Sequence, residues 1–299
     1  MAAGREIRSM REIAVVGVGA IGGVVAAHLG TAGRDIILCV RQPLDELTLE
    51  TPRRTSRISL PVVSAPEEVP PVRWILLATK AHQTDGAAAW LRALAGAGTT
   101  VILQNGVEHV ERVAPYATGA VLLPAVVECS AAKLAPGRVL QRTPAEITVP
   151  ATKAGRDLAL LFGGTEVRIT VTDDFVTAAW RKLCVNVAGG AITVLTDREL
   201  GVMRRPEVAR LAGDLVRECI AVGRAEGAKL SDALANEIVA SMLATPESGT
   251  SMLADRRAGK PLEADARNGA VQRIGIRHGI DTPLNHAMTA ILNAINQDD

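Results

Sequence analysis

The sequence predicts an α/β fold: an N-terminal domain with a doubly wound parallel sheet over residues 1–173, then an all-helical C-terminal domain over residues 174–299. Three observations predict it. An apolar strand near the start runs directly into a glycine-rich turn and a helix of small residues. The rest of the first half alternates short apolar runs with helical segments, and beyond Asp174 the apolar residues recur three and four apart.

The opening strand is Arg11-Glu-Ile-Ala-Val-Val16, which enters Gly17-Val-Gly-Ala-Ile-Gly22 ahead of the helix Val24 to Ala32. G-x-G-x-x-G alone is a weak signal in a chain with 27 glycines, but here a strand precedes it and a helix follows, as in a Rossmann-type domain. Gly17 permits the tight turn, Gly19 lets the backbone approach a pyrophosphate, and Gly22 lets the helix pack closely on the strand. Gly17, Val18, Gly19, Ala20, Ile21 and Gly22 are therefore candidate cofactor-binding residues, at a helix N-terminus whose N–H groups point at phosphate. A glycine-rich turn with no ligand is the alternative.

Further strands are expected at Asp35 to Arg41, Arg57 to Ser64, Trp74 to Lys80 and Thr100 to Gly106, and at Val121 to Glu128, Arg138 to Val149 and Arg168 to Val171. The Arg138 to Val149 strand is read as antiparallel, and a helix is expected over Asp85 to Ala95. Apolar runs of four to six residues ending at polar or glycine turns are what strands buried on both faces of a parallel sheet look like. The second half reads as helices Phe175 to Val194, Pro206 to Glu226, Ser231 to Ala244, Leu262 to His278 and Leu284 to Asn296. The boundary near Thr172-Asp-Asp174 implies a hinge and a ligand cleft between the domains.

Composition excludes several classes. A net charge of +1 gives no electrostatic reason for nucleic-acid or membrane partners, and a 2% aromatic share argues against base-stacking surfaces. The apolar runs are too short to span a bilayer, and Met1 to Arg11 lacks the apolar core of a signal peptide, so a cytoplasmic location is expected. Cys39, Cys129, Cys184 and Cys219 have no metal-ligand spacing and read as reduced, mostly buried small hydrophobes. His82, His109, His278 and His286 form no metal pattern and read as surface or turn residues, so no metal is expected.

The residue ending the second strand distinguishes the nicotinamide dinucleotides, because an acid there bonds the ribose 2′-hydroxyl and an Arg accommodates a 2′-phosphate. Arg41 stands there, which favours NADP(H); an ordinary solvated charge is the alternative. Lysine is scarce, 6 against 27 Arg, and differs from Arg in being able to give up a proton when desolvated. Lys80 ends a strand near the expected cofactor. Lys182 lies one helical turn before Asn186 on one face, which is either a site or a chance polar spot.

The chain resembles the ketopantoate (2-dehydropantoate) reductases over nearly its whole length. The resemblance rests on Gly17 to Gly22, Leu77-Ala-Thr-Lys-Ala-His-Gln83, Gln104-Asn-Gly106, Trp180-Arg-Lys-Leu-Cys-Val-Asn186, Ser251-Met-Leu-Ala-Asp255, Gly259-Lys-Pro-Leu-Glu263 and Asn268-Gly269. It implies reduction of a small 2-keto acid, ketopantoate, with NADPH, in a step toward pantothenate and coenzyme A. By the same resemblance Lys182 is the proton-donating catalytic lysine, and Glu263 is its partner acid near cofactor and substrate. Lys80 and Asn105 contact the cofactor, Asn105 also lies near the substrate, Asn186 and Ser251 bind substrate, and Arg41 binds the 2′-phosphate. Departures from the family pattern are Gly190 and Ser248, where the family commonly has Asn, and Leu262, where it has Thr. Ser248 is kept as a candidate substrate contact, and Gly190 is expected to leave space for a larger or more apolar substrate. A relative acting on another keto acid and a non-catalytic NADP(H) sensor are the rival readings. A homodimer through Ala- and Leu-rich helical faces is one use of those faces, and a core within the domain is the other.

Overall fold

Strand β1 (Arg11–Val16) sends Ile13 and Val15 into one apolar core and Ala14 and Val16 into another, so both of its faces are buried. That explains a continuous apolar run where a half-exposed strand would alternate. A computed structural model of the chain describes residues 11–94, 96 and 98–296. The expectations for Met1 to Met10 and for the helix end at Ala95 fall outside them. Two compact units form, one from residues 11–104 and 109–172, the other from residues 105–108 and 173–296.

In the first unit β1 is followed by α1 (Ala20–Thr31), β2 (Ile36–Cys39), β3 (Leu47–Glu50), β4 (Thr55–Ile58), β5 (Val62–Val63) and β6 (Val72–Leu77). Then come α2 (Thr84–Leu94), β7 (Thr99–Ile102), α3 (His109–Val113), β8 (Val121–Pro124), β9 (Val126–Glu128), β10 (Ala131–Ala135), β11 (Arg138–Gln141), β12 (Glu146–Pro150), α4 (Lys153–Leu161) and β13 (Arg168–Thr172). The main sheet is parallel, in the order β5-β2-β1-β6-β7-β8. The chain builds outward from β1 through β2 to β5, then restarts on its other side with β6. The strand order therefore reverses between β1 and β6, the position where open α/β sheets bind ligands at their carboxyl ends.

Two smaller sheets, β10-β11-β3-β4 and β13-β12-β9, accompany it, and β3 and β10 were not anticipated. The stretches expected as single strands at 57–64, 121–128 and 138–149 each divide between two sheets. Pro61, Pro124 and Pro144 lie at or beside the breaks, where a residue without an N–H cannot continue a ladder. In place of one antiparallel strand, β11 pairs antiparallel with β10 and parallel with β3, whereas β12 pairs parallel with β13 and antiparallel with β9. Helix α1 lies against β11, where a Cβ at Gly23 would stand 2.6 Å from Val139 Cγ1. Its buried His28 bonds Gln141 (2.8 Å), and apolar residues buried around its circumference remove the one-sided pattern of a surface helix.

The second unit has α5 (Phe175–Thr196), α6 (Pro206–Ala225), α7 (Leu234–Ala244), α8 (Ser251–Arg257), α9 (Asn268–His278) and α10 (Pro283–Ile295), with no strand among the described residues. Helix α5 is the axis: its residues from Ala179 to Val194 are largely buried, and Trp180 belongs to this unit's core, seated over Gly223. Asp174 caps α5 through Thr177 N–H (3.3 Å). Ala188-Gly-Gly-Ala191 is the narrow part of α5, where a Cβ at Gly189 would stand 3.1 Å from Met242 Cε. The expected helix from Leu262 starts only at Asn268. The Asn296 amide accepts from Leu262 N (2.7 Å) and donates to Leu262 O (3.3 Å), taking the carbonyl that would accept the first intrahelical bond. No helix among the described residues is long and apolar enough to cross a membrane.

Candidate active site

In the first unit the three glycines of the turn differ in their surroundings. Gly17 has φ +93°, and a Cβ there would lie 2.9 Å from Thr79 N. At Gly22 a Cβ would lie 2.0 Å from Gly17 O, so the first turn of α1 sits directly on the β1 turn. At Gly19 it would meet nothing within 4 Å, and no side chain caps the N-terminus of α1. The turn is thus closed to side chains at Gly17 and Gly22 and open at Gly19, which fits the approach of a pyrophosphate to bare N–H groups. Val18, Ala20 and Ile21 complete this turn.

Arg41 follows β2 and is exposed, and Lys80 follows β6 and is half-buried. With the glycine turn they occupy the carboxyl ends of three neighbouring strands, β2, β1 and β6. Gln104 Nε2 secures the backbone around Lys80, donating to Thr79 Oγ1 (3.0 Å), Lys80 O (3.3 Å) and Thr84 Oγ1 (3.1 Å). His109 is buried and bonded to Gln104 O (3.2 Å), contrary to its reading as a surface residue.

In the second unit Lys182 and Asn186 lie one turn apart on α5, both half-buried, and Gly190 continues the same row. The other candidates come together around a residue that the sequence reading passed over. Asn105, which belongs to this unit, donates Nδ2–H to Glu263 Oε2 (2.8 Å). Arg267 Nη2 donates to the same oxygen (3.0 Å) and to Ser251 Oγ (3.0 Å). Glu263 and Arg267 are 2% and 1% exposed, which makes them a buried ion pair, whereas Ser251 is open to solvent. Thr250 fixes Ser251 by capping α8 through Leu253 N–H (3.1 Å) and sharing a 2.7 Å hydrogen bond with Thr193 of α5.

Gly190 does not open a larger pocket. A Cβ there would stand 3.1 Å from Arg267 Nη1 and 3.5 Å from Met252 Cε, so the guanidinium already occupies the place expected for substrate. Ser248 stays apart from the Glu263 cluster in its recorded bonds: its backbone accepts from Leu200 N (3.0 Å) and donates to Thr245 O (3.0 Å). Leu262 is buried in the helical core. Arg267 was missed because an Arg four residues after a Glu ordinarily reads as a solvated helix pair. The available signal was its setting, between Ala264, Ala266 and Asn268-Gly269 and without other charge beyond Asp265.

Asn268, the next residue, is fully buried and donates Nδ2–H to Val187 O (3.1 Å) and Asn285 Oδ1 (3.0 Å), tying α9 to α5 beside Asn186. Burial pushes the Cys39 thiol up to about 12, and burial together with Cys184 raises Cys219, so neither offers a thiolate at neutral pH. Among the described residues no group of three or more His, Cys, Asp or Glu is placed to hold a metal ion.

The family model described as ketopantoate reductase PanE/ApbA matches residues 13–154, and its C-terminal counterpart matches residues 174–296. The chain belongs to the ketopantoate reductase family. A relative named 2-dehydropantoate 2-reductase, from Caulobacter vibrioides, is 45% identical over 95% of this chain and 99% of its own. The solved PanE/ApbA family ketopantoate reductase from Ralstonia eutropha is 30% identical, with TM-score 0.88 over 95% of this chain and 98% of its own. A dimeric ketopantoate reductase from Staphylococcus aureus is 26% identical, with TM-score 0.87 over 96% of this chain and 99% of its own.

Proposed function

We propose that the protein is an NADPH-dependent 2-dehydropantoate 2-reductase. The observation that carries this reading is the cluster in which Asn105, Arg267 and, through Arg267, Ser251 converge on the buried Glu263, on a chain 45% identical to a relative of that name. Gly17 to Gly22 hold the pyrophosphate, Arg41 the 2′-phosphate, and Lys80, Asn105 and Glu263 are further cofactor contacts. The choice of NADP(H) over NAD(H) rests on Arg41 and on the lack of an acid in its place. NADPH, when bound, supplies the hydride.

The chain's own residues handle the negative charge that develops on the keto oxygen. Lys182 stabilises it as a cation and then gives up a proton, completing the hydroxyl; an Arg would serve only the first role. Glu263 is the partner acid. Asn186 and Ser251 bind the polar groups of the keto acid, with Ser248 as a further candidate contact. The protein works as a homodimer, a reading supported by the dimeric relative.

The test follows NADPH absorbance with purified protein against a panel of 2-keto acids that includes ketopantoate. Turnover of ketopantoate is expected, and Lys182→Ala and Lys182→Arg should both lower kcat by about 10²–10⁴ while leaving the Kd for NADPH unchanged. Turnover confined to another keto acid would move the substrate assignment, and NADPH binding without turnover on any of them would favour a sensor.

A further inference from the structure

Arg267 is poorly satisfied for an arginine at 1% exposure. Its Nη2 makes both recorded hydrogen bonds, its Nε is buried without a partner, and its Nη1 faces Gly190. Buried ion pairs contribute little net stability, and an unused buried donor costs some, so this pair is a poor device for holding the fold. It does constrain two candidate substrate-end groups at once. One nitrogen bridges the Glu263 carboxylate and the Ser251 hydroxyl. Because Ser251 Oγ accepts from the guanidinium, its own proton is directed elsewhere, as a donor. An acceptor-only group such as the keto acid's carboxylate is the matching ligand.

We propose that Arg267 is the positioning residue of the substrate end: it holds Glu263 in place and turns Ser251 into a hydrogen-bond donor toward the keto acid's carboxylate. The inference rests on the functional reading above. It also explains why α5 has glycine at position 190: a side chain there would displace the guanidinium.

The test is a double-mutant cycle on KM for ketopantoate, with the NADPH Kd measured in parallel. Ser251→Ala should raise KM by about tenfold, the worth of one hydrogen bond, with the NADPH Kd within about threefold of wild type, and Arg267→Met should raise KM by at least as much, with a smaller rise in the NADPH Kd because Glu263 is also a cofactor contact. Adding Ser251→Ala to Arg267→Met should cost less than about threefold more, because the hydroxyl is no longer directed. Asn186→Ala should keep its full penalty on the same background. Arg267→Lys, which keeps the charge and a single donor nitrogen, should recover part of the loss.

Independent, multiplying effects of Ser251→Ala and Arg267→Met would overturn the proposal, as would equal losses toward NADPH and keto acid. Should Arg267→Met fail to fold, Gly190→Ala serves instead. Its methyl would stand 3.1 Å from Nη1, so the guanidinium must shift by a few tenths of an ångström with both partners present, and KM for the keto acid should rise; an unchanged KM would overturn the proposal. A wild-type protein that turns over no keto acid would fail the functional reading, and with it the carboxylate as the ligand of Ser251, but not the hold of Arg267 on Glu263. The thermal unfolding cycle of Arg267→Met with Glu263→Gln would then decide it: the double variant should be more stable than Arg267→Met alone, and additive losses would overturn the pairing.

Discussion

The glycine turn at the head of α1 and the Glu263 cluster of the helical unit are built from opposite materials. The first is a site made of backbone, shaped by side chains that are missing: Gly17 and Gly22 let two segments touch, and Gly19 leaves its N–H groups uncovered. The second is made of side chains gathered from residues 105, 251, 263 and 267, with the charged pair closed off from water. One is therefore damaged by adding an atom and the other by removing one.

The sharpest way to break this contrast is a pair of single-methyl changes in the turn. Gly22→Ala sets a carbon 2.0 Å from Gly17 O and should destabilise the protein by about 3 kcal/mol or more in chemical denaturation. Gly19→Ala meets nothing within 4 Å and should leave stability within about 0.5 kcal/mol, yet weaken NADPH binding by about tenfold or more. Equal stability losses for the two would mean that the turn is only structural.

Arg41 tests whether the backbone site also needs a side chain for its selectivity. Replacing it by Ala should raise the Kd for NADPH by about 10–100-fold, the worth of a charged hydrogen bond, and leave the Kd for NADH unchanged. A parallel rise for both would make Arg41 a general contact and remove the argument for the phosphorylated dinucleotide.

The smallest expected effect lies at the start of α5. The hydrogen bond from Thr177, and then the Lys229 ammonium, hold the Asp174 carboxyl below its ordinary value. Its folded form is therefore favoured when ionised, and that contribution is present above the unfolded carboxyl range and lost as pH falls through the folded value. Asp174→Asn should lower Tm by about 2 °C or less at pH 7, with the difference closing below about pH 4. A difference that grows on acidification would reverse the assignment.

The contrast also explains what was legible beforehand. The turn could be read residue by residue, because each glycine acts on atoms within a few residues or on the next strand. Along α5 the turn-by-turn spacing of Lys182 and Asn186 was equally plain. Pro61, Pro124 and Pro144 were visible too, but that they divide three apolar runs between separate sheets depends on which strand accepts each segment.

Sequence by itself determined the parallel sheet, the glycine turn after β1 and the helical second half, since these follow from local period and from steric limits on glycine and proline. Only the tertiary structure decided that Leu262 to Arg267 leaves the helix, because the Asn296 amide that takes its backbone bonds lies more than thirty residues away. It also decided that Gly190 makes room for Arg267 and not for substrate. An empty position on a helix has no meaning until the group packed against it is known, and that group is set by the whole core.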